Sequence, residues 1–293
     1  MKETLVGKGR EAIGLLAEEG SFQENIIGSQ KLPGELGPGA VAGTISFGGK
    51  PATILANDAQ AINPRFPVVY FGVIGLEEAY KMALAVYMTM EEDQHKPLTE
   101  KRPLLLLVDT PGNGPGKVEE MVGMNKATGA YQLALAQARR QGHPVVAVVI
   151  GRAISGAFLC HGLQADHILS LSQDWGTMIH VMPISSISRI TKIDVERLEE
   201  LAQDNPVFAA GAQYFYRLGG VQEILDSPEQ IQEAVSRHVA EIRQKKQNGQ
   251  WEELGPMGRG LLGAARKGRN ARPEVLRRMR EEYRKLEAEG LFA

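Results

Sequence analysis

Residues 144–171, PVVAVVIGRAISGAFLCHGLQADHILSL, leave a folding chain few choices. The apolar run 144–150 is too short for a membrane span and too uniformly apolar for a strand with one wet face, so it reads as a strand covered on both sides. A tight turn is expected at 151–156, then a helix opening on Ser155-Gly156-Ala157, then a second strand ending at Leu171. First-turn amides of a helix have no intrahelical acceptor, so this helix start offers N–H donors at a strand's mouth. Donors so placed can hold negative charge that develops on an oxygen during a reaction.

The preceding segments repeat the arrangement. Residues 103–110, PLLLLVDT, form another doubly covered strand, followed by the Gly-Pro loop PGNGPG at 111–116 and a long helix over about 118–141. Upstream, 40–47 and 51–56 flank Gly48-Gly49 as a hairpin, and the apolar spacing over 76–93 predicts a helix with one buried face. Strands alternating with helices indicate parallel strands with crossover helices. A short helix is expected at 7–20, and further helices at 187–201, 206–218, 228–247 and 273–289. Residues 248–268, rich in glycine, read as loop. The reading divides the chain into an N-terminal helix and loop (1–39), a core (40–225) and a charged helical extension (226–293).

Two glycine turns therefore stand at the carboxyl ends of two strands, where ligands of open α/β sheets gather. Either alone could merely turn the chain; together they point to one shared site. Gly156 and Ala157 are the expected backbone donors, Ser155 the helix cap, and Gly112, Asn113 and Gly114 the facing wall. GNGPGK at 112–117 lacks the spacing and Lys-Ser/Thr ending of a nucleotide P-loop, and no dinucleotide fingerprint opens a helix. Ser155 lies outside a G-x-S-x-G elbow, which argues against a nucleophile. His161 lies about one and a half turns beyond Gly156 and is a candidate proton donor or a structural histidine. His180 could face the site or a partner, and His167 reads as surface or structural. No histidine pair shows metal-ligand spacing with a carboxylate, so no metal is expected.

A net charge of −2 gives no reason to expect nucleic-acid binding, and the single cysteine, Cys160, permits no internal disulfide. No signal peptide or membrane span is read from the sequence, so a soluble cytoplasmic protein is expected. Residues 259–280 carry eight basic residues against one acid, Glu274. They are either a solvated face or a surface for an acidic carrier protein or the phosphates of a coenzyme A-like group.

The segments ILAND (54–58), LLVDTPGNGPG (106–116) and 144–171 together resemble the crotonase-type superfamily, and within it the carboxyltransferase half-domains of acyl-CoA carboxylases. GRAISGAFLCHGLQA is most similar to the gamma subunits of biotin-independent malonate decarboxylases. The resemblance implies an α/β fold, a crotonase/ClpP-like spiral of ββα units. It implies a beta subunit completing the active site, an acyl carrier protein bearing a phosphopantetheine-type, dephospho-CoA-derived arm, and an acyl-transferase alpha subunit. The implied reaction is decarboxylation of a malonyl thioester through an enolate, with no cofactor covalently bound to this chain. A carboxyltransferase passing the carboxyl group to biotin, and a non-catalytic structural half, are the alternatives. Three departures stand out: Ser155-Gly156-Ala157 replaces the usual S-G-G or Y-G-G-A, and the chain has neither a four-cysteine zinc ribbon nor an Ala-Met-Lys-Met biotinylation site.

Overall fold

In the computed structural model, which describes residues 3–114, 116–204 and 211–291, period-2 alternation sorts the strand side chains into two apolar layers. Leu104, Leu106, Val108, Val145, Ala147 and Val149 face one layer; Leu105, Leu107, Val146, Val148 and Ile150 face the other. The strands are β1 (Gln23–Glu24), the small pair β2 (Ile26–Ile27) and β3 (Gln30–Lys31), β4 (Ala40–Phe47), β5 (Lys50–Asn57), β6 (Leu104–Thr110), β7 (Val145–Ile154), β8 (His167–Leu171), β9 (Met178–His180) and β10 (Glu223–Leu225). The main sheet has the order β1-β4-β5-β6-β7-β8-β10, with β9 paired to β7. β4 and β5 are the antiparallel hairpin, turned by Gly48 and Gly49, both at positive φ. From β5 through β10 the pairing is parallel.

The helices are α1 (Leu76–Glu92), α2 (Lys117–Val122), α3 (Met124–Arg140), α4 (Ser155–Cys160), α5 (Ile184–Thr191), α6 (Val195–Asp204), α7 (Ala212–Arg217), α8 (Ile231–Gln247), α9 (Gly255–Ala265) and α10 (Arg272–Ala288). Buried residues of α1, α3 and α4 cover one face of the sheet. The other face takes Ala12, Ile13 and Leu16 from the N-terminal segment and Ile231, Ala234, Val235, Val239 and Ile242 from α8. Among the described residues no helix is long and apolar enough to cross a membrane.

Several expected elements differ, each for a local reason. The helix over 118–141 is two helices, because Gly123 at φ 118° closes α2 and opens α3. The helix expected over 187–201 likewise breaks at Lys192, whose φ is 60°. Residues 7–20 supply only a 3-10 turn at Glu11–Leu15. Of the helix expected over 206–218, residues 206–210 lie outside the described residues and the rest gives α7. The glycine-rich stretch 248–268 contains α9 rather than a loop. Its glycines serve close packing: a Cβ on Gly263 would collide with the Leu218 carbonyl, and one on Gly258 with the Glu253 carbonyl.

Candidate active site

Strand β7 does not turn at Gly151 but runs on to Ile154. Asp109, at the end of β6, explains the extension. Its carboxylate accepts the Arg152 backbone N–H at 2.8 Å, Arg152 Nε and Nη2 at 2.9 Å each, and the Gly7 N–H at 2.7 Å. Both charged side chains are almost fully buried, and Phe71 stacks on the guanidinium 4.3 Å away. On the outer side, β9 pairs Arg152–Ile154 in the register Arg152↔Met178, Ala153↔Ile179, Ile154↔His180. The last residues of β7 thus have backbone partners well past the expected turn.

The chain then enters α4 abruptly. Ile154 takes the extended cap position, and no side chain caps the helix. Ser155, expected as the cap, is instead exposed with φ 54°, in the left-handed region. For a serine that backbone costs on the order of 1 kcal/mol, the consequence of passing from strand to helix in one residue. Gly156 and Ala157 follow as second and third residues of α4, so their amides lie in the first turn, without intrahelical acceptors.

The facing turn reaches them. Gly112 has φ 141°, and residues 112–114 are pinned to residue 74 by Ile74 N–H to Gly112 O at 3.0 Å and Gly114 N–H to Ile74 O at 3.1 Å. Asn113 then lies directly against Gly156, where a Cβ would collide with its Oδ1. The structure therefore brings Asn113 against Gly156, with Gly112 and Gly114 flanking the one and Ala157 following the other.

His161 is placed differently. It is fully buried, its Nε2 sits 3.0 Å from the Leu107 carbonyl, and its Nδ1 lies 2.8 Å from Tyr131 Oη. Nε2 donates, Nδ1 accepts from the tyrosine, and burial pushes the imidazole down to about 4. Both nitrogens are occupied in the core between β6 and α3. Burial likewise raises the Cys160 thiol to about 12, which leaves no nucleophilic thiolate. His180, half-buried beside Ile154, is the described histidine nearest to the helix start along the sheet register, and burial lowers its pKa.

His143 is held like His161: buried, with Nδ1 2.9 Å from the Arg102 carbonyl and its pKa pushed to about 4. Both values lie below the ordinary 6.5, so the unfolded chain takes up protons that the folded one refuses. Stability is fully present above about pH 6.5 and falls as pH drops toward 4, by up to about 1.4 kcal/mol per pH unit per histidine. Thermal melts from pH 7.5 down to 5 should show a falling midpoint, with a shallower slope in His161→Gln. Equal slopes would show that His161 is not held neutral.

Part of the basic stretch 259–280 is spent on internal contacts. Arg259 is buried and donates to the Ala165 carbonyl at 2.6 Å and to that of Leu163. Arg266 stacks 3.5 Å over Tyr216 and donates to the carbonyls of Tyr216, Val221 and Gln222, and Arg269 donates to that of Leu218. Arg277 and Arg278 pair with Glu274 on α10. Arg259, Arg266 and Arg269 thus fasten the C-terminal helices, while Lys267, Arg277, Arg278 and Arg280 stay exposed on the surface.

The family model described as malonate decarboxylase gamma subunit matches residues 71–283. The chain belongs to that gamma-subunit family. A relative from Malonomonas rubra, malonyl-S-ACP:biotin-protein carboxyltransferase, is 58% identical over 291 residues, covering 99% of this chain and all of the relative. Among solved structures, a chain of the Pseudomonas malonate decarboxylase hetero-tetramer in complex with coenzyme A is similar, with TM-score 0.75 and 30% identity over 94% of this chain and 100% of that one. The transcarboxylase 12S structure aligns at TM-score 0.62 and 19% identity over 82% of this chain and 43% of that one, a likeness of fold alone. The gamma-family chain therefore has the crotonase-like carboxyltransferase fold expected from its sequence.

Proposed function

We propose that this chain supplies one half of an active site that removes the carboxyl group from a malonyl thioester carried on an acyl carrier protein. The observation that carries the reading is the pair of first-turn amides of α4, Gly156 and Ala157, with Asn113 of the pinned 112–114 turn set against Gly156. Breaking the bond between the malonyl carboxylate and the adjacent carbon sends an electron pair onto the thioester, making an enolate oxygen. The two amides donate to that oxygen, and such a donor, where it has been removed, was worth about 3–4 kcal/mol. Asn113 and Gly112 line the opposite wall. His161, with both nitrogens engaged in the core, is a positioning residue in this reading, and the proton for the acetyl carbon comes from elsewhere.

For the fate of the carboxyl group, the 58% identity with the M. rubra biotin-protein carboxyltransferase favours transfer to biotin on another protein. The biotin nitrogen gains the carboxylate and its proton goes to the acetyl carbon, so malonyl and biotin become acetyl and carboxybiotin. The second reading, favoured by the Pseudomonas malonate decarboxylase neighbours, is direct release of CO2 with a proton taken from solvent or a partner residue. In both, the dephospho-CoA-derived arm belongs to the carrier protein and arrives as substrate. An alpha subunit would load that carrier.

A beta subunit completes the site. Apolar side chains stand exposed on α2, on and just after β9, and on α5: Met121 at 76% exposure, Val181 at 69% and Ile190 at 68%, with Val122 and Met178 also exposed. Such a surface suits a protein partner. The test is acetyl-carrier formation from malonyl carrier protein by this chain co-purified with its beta subunit, with and without a biotin carrier and with avidin added. The biotin reading expects avidin to abolish turnover. Avidin-insensitive CO2 release supports the second reading, and turnover by this chain alone overturns the half-site.

A further inference from the structure

Sequence reading found no histidine pair with metal-ligand spacing, yet the fold assembles one from residues 71 positions apart. His167, the first residue of β8, and His238 on α8 place their Nδ1 atoms 2.8 Å from each other. Glu241, one turn along α8 from His238, puts Oε2 3.8 Å from His238 Nδ1. One ligand atom from each of the three lies within 4.8 Å of the others. We propose that His167, His238 and Glu241 form a divalent transition-metal site, of the class zinc occupies, at the junction of β8 and α8.

Four features of the cluster support a built site. Two imidazoles and one carboxylate are a donor set suited to zinc and its neighbours. Bonds of about 2.0–2.1 Å in a tetrahedron set ligand atoms roughly 3.3–3.4 Å apart, a spacing that the 2.8 and 3.8 Å separations bracket. Second, His238 Nε2 lies 2.9 Å from Glu223 Oε2. The carboxylate accepts a hydrogen bond from Nε2–H and leaves the Nδ1 lone pair facing His167, the outer arrangement that orients metal-bound histidines. With that lone pair fixed, the close contact is a hydrogen bond in which His167 Nδ1 donates. A cation displaces this bond once His167 carries its proton on Nε2.

Third, Glu241 divides its oxygens. Oε1 holds Lys245 Nζ at 3.0 Å, and Glu253 Oε2 lies 3.4 Å from the same ammonium. Two carboxylates thus offset the Lys245 ammonium, Arg237 is paired with Glu223, and Glu241 Oε2 can turn inward. Fourth, all three residues line a cavity of about 520 Å³ reaching Gln222 and Arg266, so a fourth coordination position opens on space for water or a small ligand. The signal in the sequence is His-x-x-Glu at 238–241, which puts both side chains on one helix face. Its third member is supplied by a distant strand and cannot be found by spacing.

The test uses the full, untagged chain co-purified with its beta subunit, stripped with chelator and titrated with Co2+ and then Zn2+ alone. The expected result is saturable 1:1 binding with tetrahedral Co2+ absorption, displaced by Zn2+. Glu241→Gln should weaken affinity at least tenfold, and Glu223→Gln by roughly 10–100-fold, because a neutral amide oxygen makes a weaker outer hydrogen bond than the carboxylate. Glu241 is half exposed, so its variant should fold; a metal-free melt checks this, and Glu223→Gln serves if it does not. The proposal is overturned if the parent complex shows no 1:1 binding up to about 100 µM Zn2+. It is equally overturned if Glu241→Gln and His238→Gln both bind as tightly as the parent.

Discussion

Removing the Gly156 amide should cost the assembled complex about 10²–10³ in kcat, the loss found where a single oxyanion donor has been deleted. Proline is the substitution that deletes an N–H, and the second residue of α4 tolerates one because that amide has no intrahelical acceptor. The obstacle is Asn113, whose Oδ1 occupies the space a Cβ would take. The informative comparison is therefore Asn113→Ala/Gly156→Pro against Asn113→Ala, where the cavity is already open. We expect kcat to fall by the stated factor while the melting midpoint and the amount of co-purified beta subunit stay near those of Asn113→Ala. A change within twofold in a correctly assembled complex would sink the oxyanion role and leave this chain a structural half.

Much of the fold could be read directly, because burial on both faces leaves a plain mark. The apolar runs 104–108 and 145–150, the Gly48-Gly49 hairpin and the one-faced pattern of 76–92 have local causes, and each became the expected element. The elements that differed depend on residues far apart in the chain. Nothing near Arg152 announces that Asp109, 43 positions earlier, will hold it and keep β7 extended to Ile154. Arg259 and Arg266 look like part of a charged surface until the carbonyls of residues 163–165 and 216–222 are seen to receive them. The 111–116 turn was legible, since turns declare themselves locally, whereas the turn expected over 151–156 is strand as far as Ile154; the contact of Asn113 with Gly156 is a product of topology. The identity of the carboxyl acceptor left no mark, as biotin would sit on a different chain.

The largest stability effect should come from Asp109. Its carboxylate gathers four hydrogen bonds, two from the Arg152 side chain and one each from the amides of Arg152 and Gly7, with about 1% of its own side chain exposed and 4% of Arg152's. Arg152 also keeps a buried Nη1 without a hydrogen-bond partner in the structure, so the pair is already short of acceptors. Asp109→Ala leaves a buried guanidinium uncompensated, which costs about 3–5 kcal/mol. For a chain of this size that is a fall of roughly 5–8 °C in melting midpoint. Removing both charges is the discriminating control, because apolar residues of similar volume can replace a buried ion pair at little net cost. Asp109→Leu/Arg152→Met should recover at least half of the lost stability. It should not recover activity, since the pair also holds the Gly7 amide and the extended end of β7, from which Ser155 and the two amides project. If Asp109→Ala melts within 2 °C of the parent, the pair contributes little to holding the strand ends together. If the double variant regains full turnover, it is dispensable for placing the site.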